Sequence, residues 1–281
     1  MHKRAAVIND LSSLGRCSLA ADLAVLPAMG IEACPLPTAV LTAQTGYPKY
    51  RMENFADKMS HYTTHWQELE VSFSGILSGY FTCPEEIIAT EQFLDVFQQQ
   101  GVPYLCDPVL GDNGHVYRGF TEETIKGLQR LATRASVLTP NLTEFCFLTE
   151  TPLAAVKEKL AHPKEAFAYL QQQAKKFSQQ RIVITGIHYK ENQQDKITNL
   201  VLEDTTATPV VSDYLGGSYS GTGDLFAAVL LGGLLQGRTL VETVRLAGTF
   251  IACAIKDAQK ENTPYNDGVN YESYLEMLRK T

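Results

Sequence analysis

A carboxylate framed by glycines stands in front of a long apolar run in this sequence: Ser220-Gly221-Thr222-Gly223-Asp224 precedes the segment Leu225 to Leu235. Glycines allow a tight turn that exposes backbone N–H groups at the start of a helix, where the helix dipole favours an anion. A carboxylate beside a bound phosphate can accept the proton of an attacking hydroxyl group. The pattern therefore predicts a small-molecule phosphotransferase site, although glycine and aspartate are also common as a simple helix cap.

Two other phosphate-binding motifs are excluded by the residues present. Phe226 stands where a dinucleotide-binding fingerprint needs glycine or alanine, and the sequence contains no Gly-Lys-Ser or Gly-Lys-Thr loop. A nucleotide at this site would therefore be held by neither a Rossmann nor a Walker loop.

Short apolar runs alternate with helical periods along the chain. This alternation predicts βαβ units and hence an α/β fold, with a mostly parallel central sheet and helices on both faces. The late strands, Arg181 to Thr185, Ile197 to Leu202 and Val210 to Ser212, are joined by loops too short for a helix and should form an antiparallel edge. No repeat or linker divides the chain, so residues 1–281 are expected to form a single domain. The earlier predicted strands are Ala5 to Ile8, Ile31 to Leu36, Phe73 to Leu77, Val102 to Cys106 and Ser136 to Leu138, and the predicted helices are Leu19 to Met29, Glu85 to Gln100, Thr121 to Thr133 and Lys164 to Ser178.

Polar residues follow several of these strands. Ligands of open α/β sheets bind beyond the carboxyl ends of the strands, so these residues should converge on one edge of the sheet. Such convergence favours an enzyme over a mere helix cap at Asp224. The groups are Asn9-Asp10, Asp107-Pro108, Thr139-Pro140-Asn141 and Thr185-Gly186.

Two segments offer oxygen ligands for a magnesium ion. Asp107 and Asp112 lie on one turn-rich loop, and Mg²⁺ binds one or two carboxylates together with water and substrate phosphates. The same residues also suit ordinary turns. Glu144 could hold a metal-bound water and Asn141 a phosphate oxygen, while this pair equally fits a capping box at a helix amino end.

Composition and charge limit the classes of partner. The net charge of −7 argues against nucleic acid or an anionic membrane as a partner. The longest apolar run falls well short of the roughly 20 residues needed to span a bilayer, and the amino-terminal apolar stretch is too short for a signal peptide. The six cysteines form no Cys-x-x-Cys pair, which favours reduced thiols. We therefore expect a cytoplasmic protein that acts on a small molecule.

Three motifs together resemble those of pyridoxal kinases, which belong to the ribokinase-like superfamily. They occur in the family's order and are Asp107-Pro108-Val109-Leu110-Gly111-Asp112, Thr139-Pro140-Asn141 with Glu144, and Gly221-Thr222-Gly223-Asp224-Leu225-Phe226. The segment Thr45-Gly46-Tyr47 is similar to the vitamin-binding stretch of that family. The resemblance runs from about Ala5 to Leu235 and implies a ribokinase-like three-layer domain. It also implies ATP and Mg²⁺ as cofactors, a monovalent cation such as K⁺ as a further option, and a homodimer.

The resemblance implies roles for the matched residues. Asp224 would deprotonate the 5′-hydroxymethyl group of a B6 vitamer (pyridoxal, pyridoxamine or pyridoxine), and the flap Asp112 to Tyr117 would close over the nucleotide. The expected anion hole is Gly221, Thr222 and Gly223, the expected nucleotide-binding residues are these three with Asp107, Asn141, Glu144 and Thr185, the expected metal ligands are Asp107 and Glu144, and the expected substrate-binding residues are Asp10, Ser12, Thr45, Gly46, Tyr47 and Asp224.

Two alternatives stay open at this point. Many pyridoxal kinases have a serine against the pyridine ring where this sequence aligns Asp10, so either Asp10 or Ser12 takes that role. An aspartate would suit a cationic amine better than an aldehyde. Ala43-Gln44 also resembles the ring-binding stretch of hydroxymethylpyrimidine kinases of the same superfamily. A non-catalytic metabolite-binding protein on this fold is less favoured, because Asp224 and its glycines are present.

Overall fold

The structure is a computed structural model that describes residues 2–177 and 181–279. The strands in these residues are β1 (Lys3–Ser12), β2 (Ile31–Leu41), β3 (Met52–Asn54), β4 (Gly75–Ser78), β5 (Tyr104–Cys106), β6 (Gly111–Asp112), β7 (His115–Val116), β8 (Val137–Leu138), β9 (Arg181–Glu191), β10 (Gln194–Glu203) and β11 (Thr206–Asp213). The α-helices are α1 (Ser18–Ala28), α2 (Ala56–Glu68), α3 (Pro84–Phe97), α4 (Glu122–Arg134), α5 (Leu142–Leu148), α6 (Leu153–Lys159), α7 (Pro163–Gln173), α8 (Thr222–Leu235) and α9 (Leu240–Lys260). Short 3₁₀ helices cover Ala174–Phe177, Tyr265–Asp267 and Glu272–Leu278.

One sheet of nine strands organises the described residues, in the order β11-β10-β9-β8-β5-β4-β1-β2-β3. The strands from β2 through β1, β4, β5 and β8 to β9 pair in parallel. The strands β9, β10 and β11 pair antiparallel, which confirms the predicted antiparallel edge. The short strand β3 adds a second antiparallel pair at the opposite edge, which the sequence did not indicate.

Helices cover both faces of the sheet, because the side chains of each strand alternate between two cores. On β1, Ala6 and Ile8 belong to one buried cluster, whereas Ala5 and Val7 belong to the other. The second cluster contains α1, α8 and α9, and the apolar run of α8 is almost fully buried in it. Among residues 2–177 and 181–279, no helix has both the length and the apolar character required to cross a membrane.

Several strands are longer than predicted, because pairing with neighbours extends a strand beyond its apolar centre, whereas β4 and β5 begin two residues later than predicted. The strand β1 continues to Ser12 and β2 continues to Leu41. The short loop predicted between the first two late strands is a turn at Asn192 and Gln193, both with positive φ, since β9 and β10 run up to it. The helix predicted to end at Ser178 ends at Gln173 and continues as a 3₁₀ turn, and Ser178 lies outside the described residues.

Candidate active site

The glycine motif begins helix α8. Gly221 precedes the helix with φ of 82°, and a Cβ built on it would lie 2.0 Å from the carbonyl oxygen of Arg16. Glycine suits this left-handed conformation and this close contact, whereas any side chain would be strained. The first N–H groups of a helix have no intrahelical acceptor, so those at Thr222 and Gly223 are the donors available to an anion.

Asp224 lies in the first turn of α8 and is held by two donors. Asn9 Nδ2 donates to its Oδ1 atom at 3.2 Å, and the backbone N–H of Ser18 also donates to the carboxylate. Burial raises the pKa of Asp224 to about 6 and the charge of Asp10 adds to this, whereas the hydrogen bonds from Ser18 and Asn9 lower it. The carboxylate is therefore ionised at neutral pH and basic enough to take a proton.

Asp10 and Ser12 are joined by a hydrogen bond, and which of them contacts the ring stays a prediction. Both side chains are buried, and Ser12 Oγ donates to Asp10 Oδ2 at 2.8 Å. The expectation that Asn9 and Asp10 follow the first strand is wrong, because β1 continues through an irregularity in its pairing with β2 between Asn9 and Leu11. Such a bulge redirects side chains near the end of a strand, and here Asp10 still lies close enough to Asp224 to affect its pKa.

Ser18 is a functional candidate that the sequence reading missed. It is the first residue of α1 and has φ of 53°, a left-handed conformation that is unfavourable for serine. In this conformation its backbone N–H donates to Asp224 while its hydroxyl donates to Asp10. One residue therefore fixes both carboxylates. No sequence signal identifies it, since serine at a helix start is ordinary.

Asp107 follows β5 and faces the glycine motif. A Cβ built on Gly223 would lie 3.6 Å from Asp107 Oδ2. Burial raises the pKa of Asp107 well above its ordinary value, the charges of Glu144 and Asp224 raise it further, and a hydrogen bond from the Thr139 side chain opposes the shift. The predicted convergence of Asp107 and Asp224 at one edge of the sheet is therefore present in the structure.

Asn141 and Glu144 form a capping box at the start of α5. Asn141 Oδ1 accepts from the Glu144 N–H at 3.0 Å, and Glu144 Oε2 accepts from the Asn141 N–H at 2.8 Å. Glu144 Oε1 accepts from Leu110 N at 3.0 Å, and Asn141 Nδ2 donates to the Gly111 carbonyl at 2.8 Å. Thr185 joins this edge through its N–H, which donates to the Pro140 carbonyl at 2.9 Å. The capping interpretation is confirmed, and the nucleotide roles of Asn141, Glu144 and Thr185 stay predictions.

The predicted flap is the hairpin of β6 and β7. Asn113 and Gly114, both with positive φ, make its turn, and the Gly114 N–H donates to Thr143 Oγ1 at 2.9 Å. Tyr117 follows the hairpin and keeps 42% of its surface exposed. Although the residue is partly exposed, desolvation of its hydroxyl group raises the pKa of Tyr117, as do the negative charges of Glu144, Asp112, Asp107 and Asp224. The end of the flap therefore lies close to the acidic groups of the site.

The predicted vitamin-binding segment is attached to the carboxyl-terminal part of the chain. The hydroxyl of Tyr47 donates to Asp267, and the Gly46 N–H donates to Gln44 Oε1 at 2.6 Å. Gln44 Nε2 in turn donates to Ser220 Oγ at 3.2 Å and to the Asn266 carbonyl at 3.1 Å. Thr45 itself is exposed. This segment therefore lies beside the glycine motif, although contact of Thr45, Gly46 and Tyr47 with a substrate stays a prediction.

The donor set at Asp107 and Glu144 fits a magnesium ion that is also bound by water and phosphate. Among the described residues, no group of three or more His, Cys, Asp and Glu side chains could hold a metal ion alone. Burial raises the pKa of both carboxyls, and that of Asp107 rises further through the charge of Glu144. A cation bound near these carboxylates would offset their repulsion, and Mg²⁺ needs only one or two carboxylates when phosphates are present.

The fold has three layers, a central sheet with helices on both faces. Together with a helix that begins at a glycine motif and acidic residues at one edge of the sheet, it defines a small-molecule kinase of the ribokinase-like type. Comparison with known proteins gives the family. A family model described as phosphomethylpyrimidine kinase matches residues 13–269, and the chain belongs to this family. Pyridoxal kinase from Dictyostelium discoideum is 25% identical over 222 residues, which are 73% of this chain and 69% of that protein.

Solved structures are similar over nearly the whole chain. A provisionally assigned phosphomethylpyrimidine kinase from Bacteroides thetaiotaomicron, solved in a crystal form with pyridoxal, is 33% identical with a TM-score of 0.87. The similarity covers 99% of this chain and 96% of that one. Pyridoxal kinase from Lactobacillus plantarum is 28% identical with a TM-score of 0.86, over 99% of this chain and 97% of that one. These similarities support the ribokinase-like fold and the kinase class.

Proposed function

We propose that this protein is an ATP-dependent kinase that phosphorylates the 5′-hydroxymethyl group of a B6 vitamer. The observation that carries the proposal is the place of Asp224, in the helix turn that follows Gly221, with its carboxylate held by Asn9 and Ser18. A hydroxyl group at Asp224 would have its proton acceptor and the phosphate-binding amides on one turn of one helix. That arrangement suits in-line transfer of a phosphoryl group to an alcohol.

The chain's own residues contribute positioning and charge. The amides of Thr222 and Gly223 bind the transferred phosphoryl group of ATP, where negative charge accumulates during transfer. Asp224, with a pKa of about 6, removes the proton of the attacking hydroxyl. The flap Asp112 to Tyr117 would close over the bound nucleotide and so limit the access of water to the site.

The nucleotide and its metal are assigned to the other side of the site. Asp107 and Glu144 would hold Mg²⁺, and Asn141 and Thr185 would lie beside the ATP phosphates. When bound, Mg²⁺ neutralises phosphate charge, as in phosphoryl transfer generally. The use of ATP rests on family membership, whereas the Mg²⁺ ligands rest on the fit of the two carboxylates.

A hydroxymethylpyrimidine is the second candidate substrate. The family description and the segment Ala43-Gln44 support the pyrimidine. The carboxamide of Gln44, however, is engaged with Ser220, Asn266 and Gly46. Both N–H groups of the carboxamide are in use, so a ring could bind Gln44 only through the remaining lone pair of Oε1. The curated pyridoxal kinase relatives and the relative solved with pyridoxal agree with a B6 vitamer.

A coupled ATP-consumption assay tests the proposal with pyridoxal, pyridoxine, pyridoxamine and hydroxymethylpyrimidine as substrates. Mass spectrometry of the product should find one added phosphate on a B6 vitamer. The Asp224→Asn variant, purified in parallel, controls for contaminating kinases. Turnover confined to hydroxymethylpyrimidine would reject the B6 assignment, and no turnover with any of the four would reject the kinase assignment.

The assembly and the ion requirement are proposed on the resemblance alone. We expect a homodimer, which sedimentation velocity would test by a mass of twice the chain's 31.0 kDa. A K⁺ requirement would appear as lower turnover when K⁺ is replaced by tetramethylammonium at constant ionic strength.

A further inference from the structure

The side chain of Asn9 uses its full hydrogen-bonding capacity. Its Oδ1 atom accepts from the backbone N–H groups of Asp10 at 3.0 Å and Tyr80 at 2.9 Å. Two backbone donors at one atom require oxygen there, so the orientation of the amide is fixed. Nδ2 must then point the other way, where it donates to Asp22 Oδ2 at 3.0 Å and to Asp224 Oδ1 at 3.2 Å. One amide group therefore bridges two carboxyl groups.

The surroundings of Asn9 leave it little freedom. It lies at the irregular end of β1, where the pairing with β2 shifts. A Cβ built on Gly79, the residue after β4, would lie 2.6 Å from the Asn9 amide atoms. The backbone at the end of β4 therefore packs directly against the Asn9 side chain. Motion of Asn9 is therefore limited by this packing and by the hydrogen bonds at both ends of its amide.

Burial of the Asp22 carboxyl is energetically unfavourable. It lies on the buried face of α1 with none of its surface exposed. Among residues 2–177 and 181–279, its Oδ1 is the one buried side-chain oxygen or nitrogen that lacks a hydrogen-bond partner. Burial and the charge of Asp224 raise the pKa of Asp22 well above its ordinary value. An apolar side chain would cost less here if packing were the only requirement.

The groups that face Asp22 give it one polar contact. Asp224 of α8 and Asp10 of β1 affect it through their charges, and Asp107 and Tyr271 sense its own charge. The hydrogen bond that Asp22 receives comes from Asn9. Its effect on the rest of the site must therefore pass through the Asn9 amide or through charge.

We propose that Asp22 is a positioning residue, which accepts one N–H of Asn9 so that the other N–H is aimed at the carboxylate of Asp224. The proposal rests on the proposed role of Asp224 as the base. Asn9 contacts the reacting carboxylate directly, and Asp22 acts through Asn9. Asp22 Oδ1 is then left without a hydrogen bond because Oδ2 of the same carboxyl is needed in the core as the acceptor for Asn9.

Removal of the acceptor tests this role. In Asp22→Leu, Asn9 loses one acceptor, and its other N–H is oriented less well toward Asp224. The kcat value should therefore fall about tenfold or more, while the KM values for ATP and for the vitamer stay within about twofold. The pH profile separates the two routes: weakening of the hydrogen bond from Asn9 should move the acidic limb of the kcat profile to higher pH, whereas loss of the Asp22 charge alone would move it to lower pH. Asp22→Asn keeps an oxygen acceptor and should retain most of kcat. Asp22→Ala, which adds no bulk, replaces Asp22→Leu if that variant does not fold.

A double-mutant cycle separates positioning from general damage to the fold. If Asp22 acts through Asn9, then Asp22→Leu should lower kcat much less in an Asn9→Ala background than in the wild type. The inference is overturned if Asp22→Leu keeps the wild-type kcat and pH limb. It is also overturned if the two losses simply multiply, or if Asp22→Asn falls as far as Asp22→Leu.

The failure of this inference differs from failure of the proposed function. A wild type that phosphorylates a B6 vitamer while Asp22→Leu is unaffected contradicts only the positioning role. If the wild type prefers hydroxymethylpyrimidine, the cycle is run with that substrate. If it phosphorylates neither, carboxyl ¹³C NMR titration still measures whether Asp22→Leu raises the pKa of Asp224, and an unchanged value overturns the inference.

Discussion

Gly223 and Asp107 border the same space: a Cβ on Gly223 would lie 3.6 Å from Asp107 Oδ2. The amides that begin α8 are therefore opposite the carboxylate that follows β5. A phosphate bound by these amides would be repelled by Asp107 unless a cation or a proton neutralised the carboxylate. This relationship explains how one site can combine an anion hole with acidic residues, and it underlies the assignment of Asp107 to a metal.

The two glycines of the motif should respond differently to alanine. Gly221→Ala should destabilise the fold by about 1–3 kcal/mol, because φ is 82° and the new Cβ would meet the Arg16 carbonyl at 2.0 Å. Gly223→Ala has ordinary space for its Cβ and should unfold at the wild-type urea concentration, while it narrows the site beside Asp107 and lowers kcat. Equal unfolding midpoints for the two variants would contradict this interpretation of Gly221.

Asp224→Asn should lower kcat by about a hundredfold or more, the usual scale for a positioned base. The amide keeps one oxygen that can accept from Asn9 or Ser18 and is close to the carboxylate in size, so circular dichroism and thermal unfolding should stay close to wild type. The matched control is Asp57→Asn, which changes an exposed aspartate in the first turn of α2. Wild-type kcat in a folded Asp224→Asn protein would reduce Asp224 to a helix cap.

The rate should fall in mild acid, because Asp224 becomes protonated there. Since the pKa of Asp224 is raised to about 6, the carboxylate is ionised above that pH and protonated below it. The kcat/KM value should therefore fall as the pH is lowered through about 6, and initial rates measured in constant-ionic-strength buffers from pH 5 to 8 would detect the limb. A limb near pH 4 would contradict the burial-driven shift.

Glu144→Gln should raise the Mg²⁺ concentration needed for half-maximal rate, because the proposed phosphate–metal site loses a negative charge. Glu242→Gln is the matched control, since Glu242 occupies the same position of the exposed capping box at Thr239 of α9. Glu144 is buried and also accepts from Leu110 N, so Glu144→Gln should lose more stability than Glu242→Gln. A Mg²⁺ titration that is the same in both variants would leave Glu144 only its capping role.

Asp10 should select among the vitamers by charge. A buried carboxylate favours an aminomethyl group, which is protonated at neutral pH, over an aldehyde, so pyridoxamine should be accepted at least as well as pyridoxal. Asp10→Ser should lower the ratio of kcat/KM for pyridoxamine to that for pyridoxal. Ser12→Ala is the control, because it removes the hydroxyl that donates to Asp10 but keeps the charge. An unchanged ratio in Asp10→Ser would show that Asp10 does not contact the substituent.

The sequence alone determined the features that depend on neighbouring residues. The start of α8, the capping box of Asn141 and Glu144, and the antiparallel edge could be predicted because each follows from short-range backbone geometry. Strand lengths could not, since β1 reaches Ser12 only through pairing with β2. The convergence of Asp107 and Asp224 was predictable because parallel strands place their carboxyl ends at one edge of the sheet.

Only the tertiary structure decided how Asp224 is held. Asn9 is separated from Asp224 by 215 positions and from Asp22 by 13, and no local pattern links the three residues. Asp22 lies among the buried residues of α1, but the sequence does not show which residues pack against it. The basicity of Asp224 likewise arises from burial and from the charge of Asp10, and both come into existence when β1, α1 and α8 pack together.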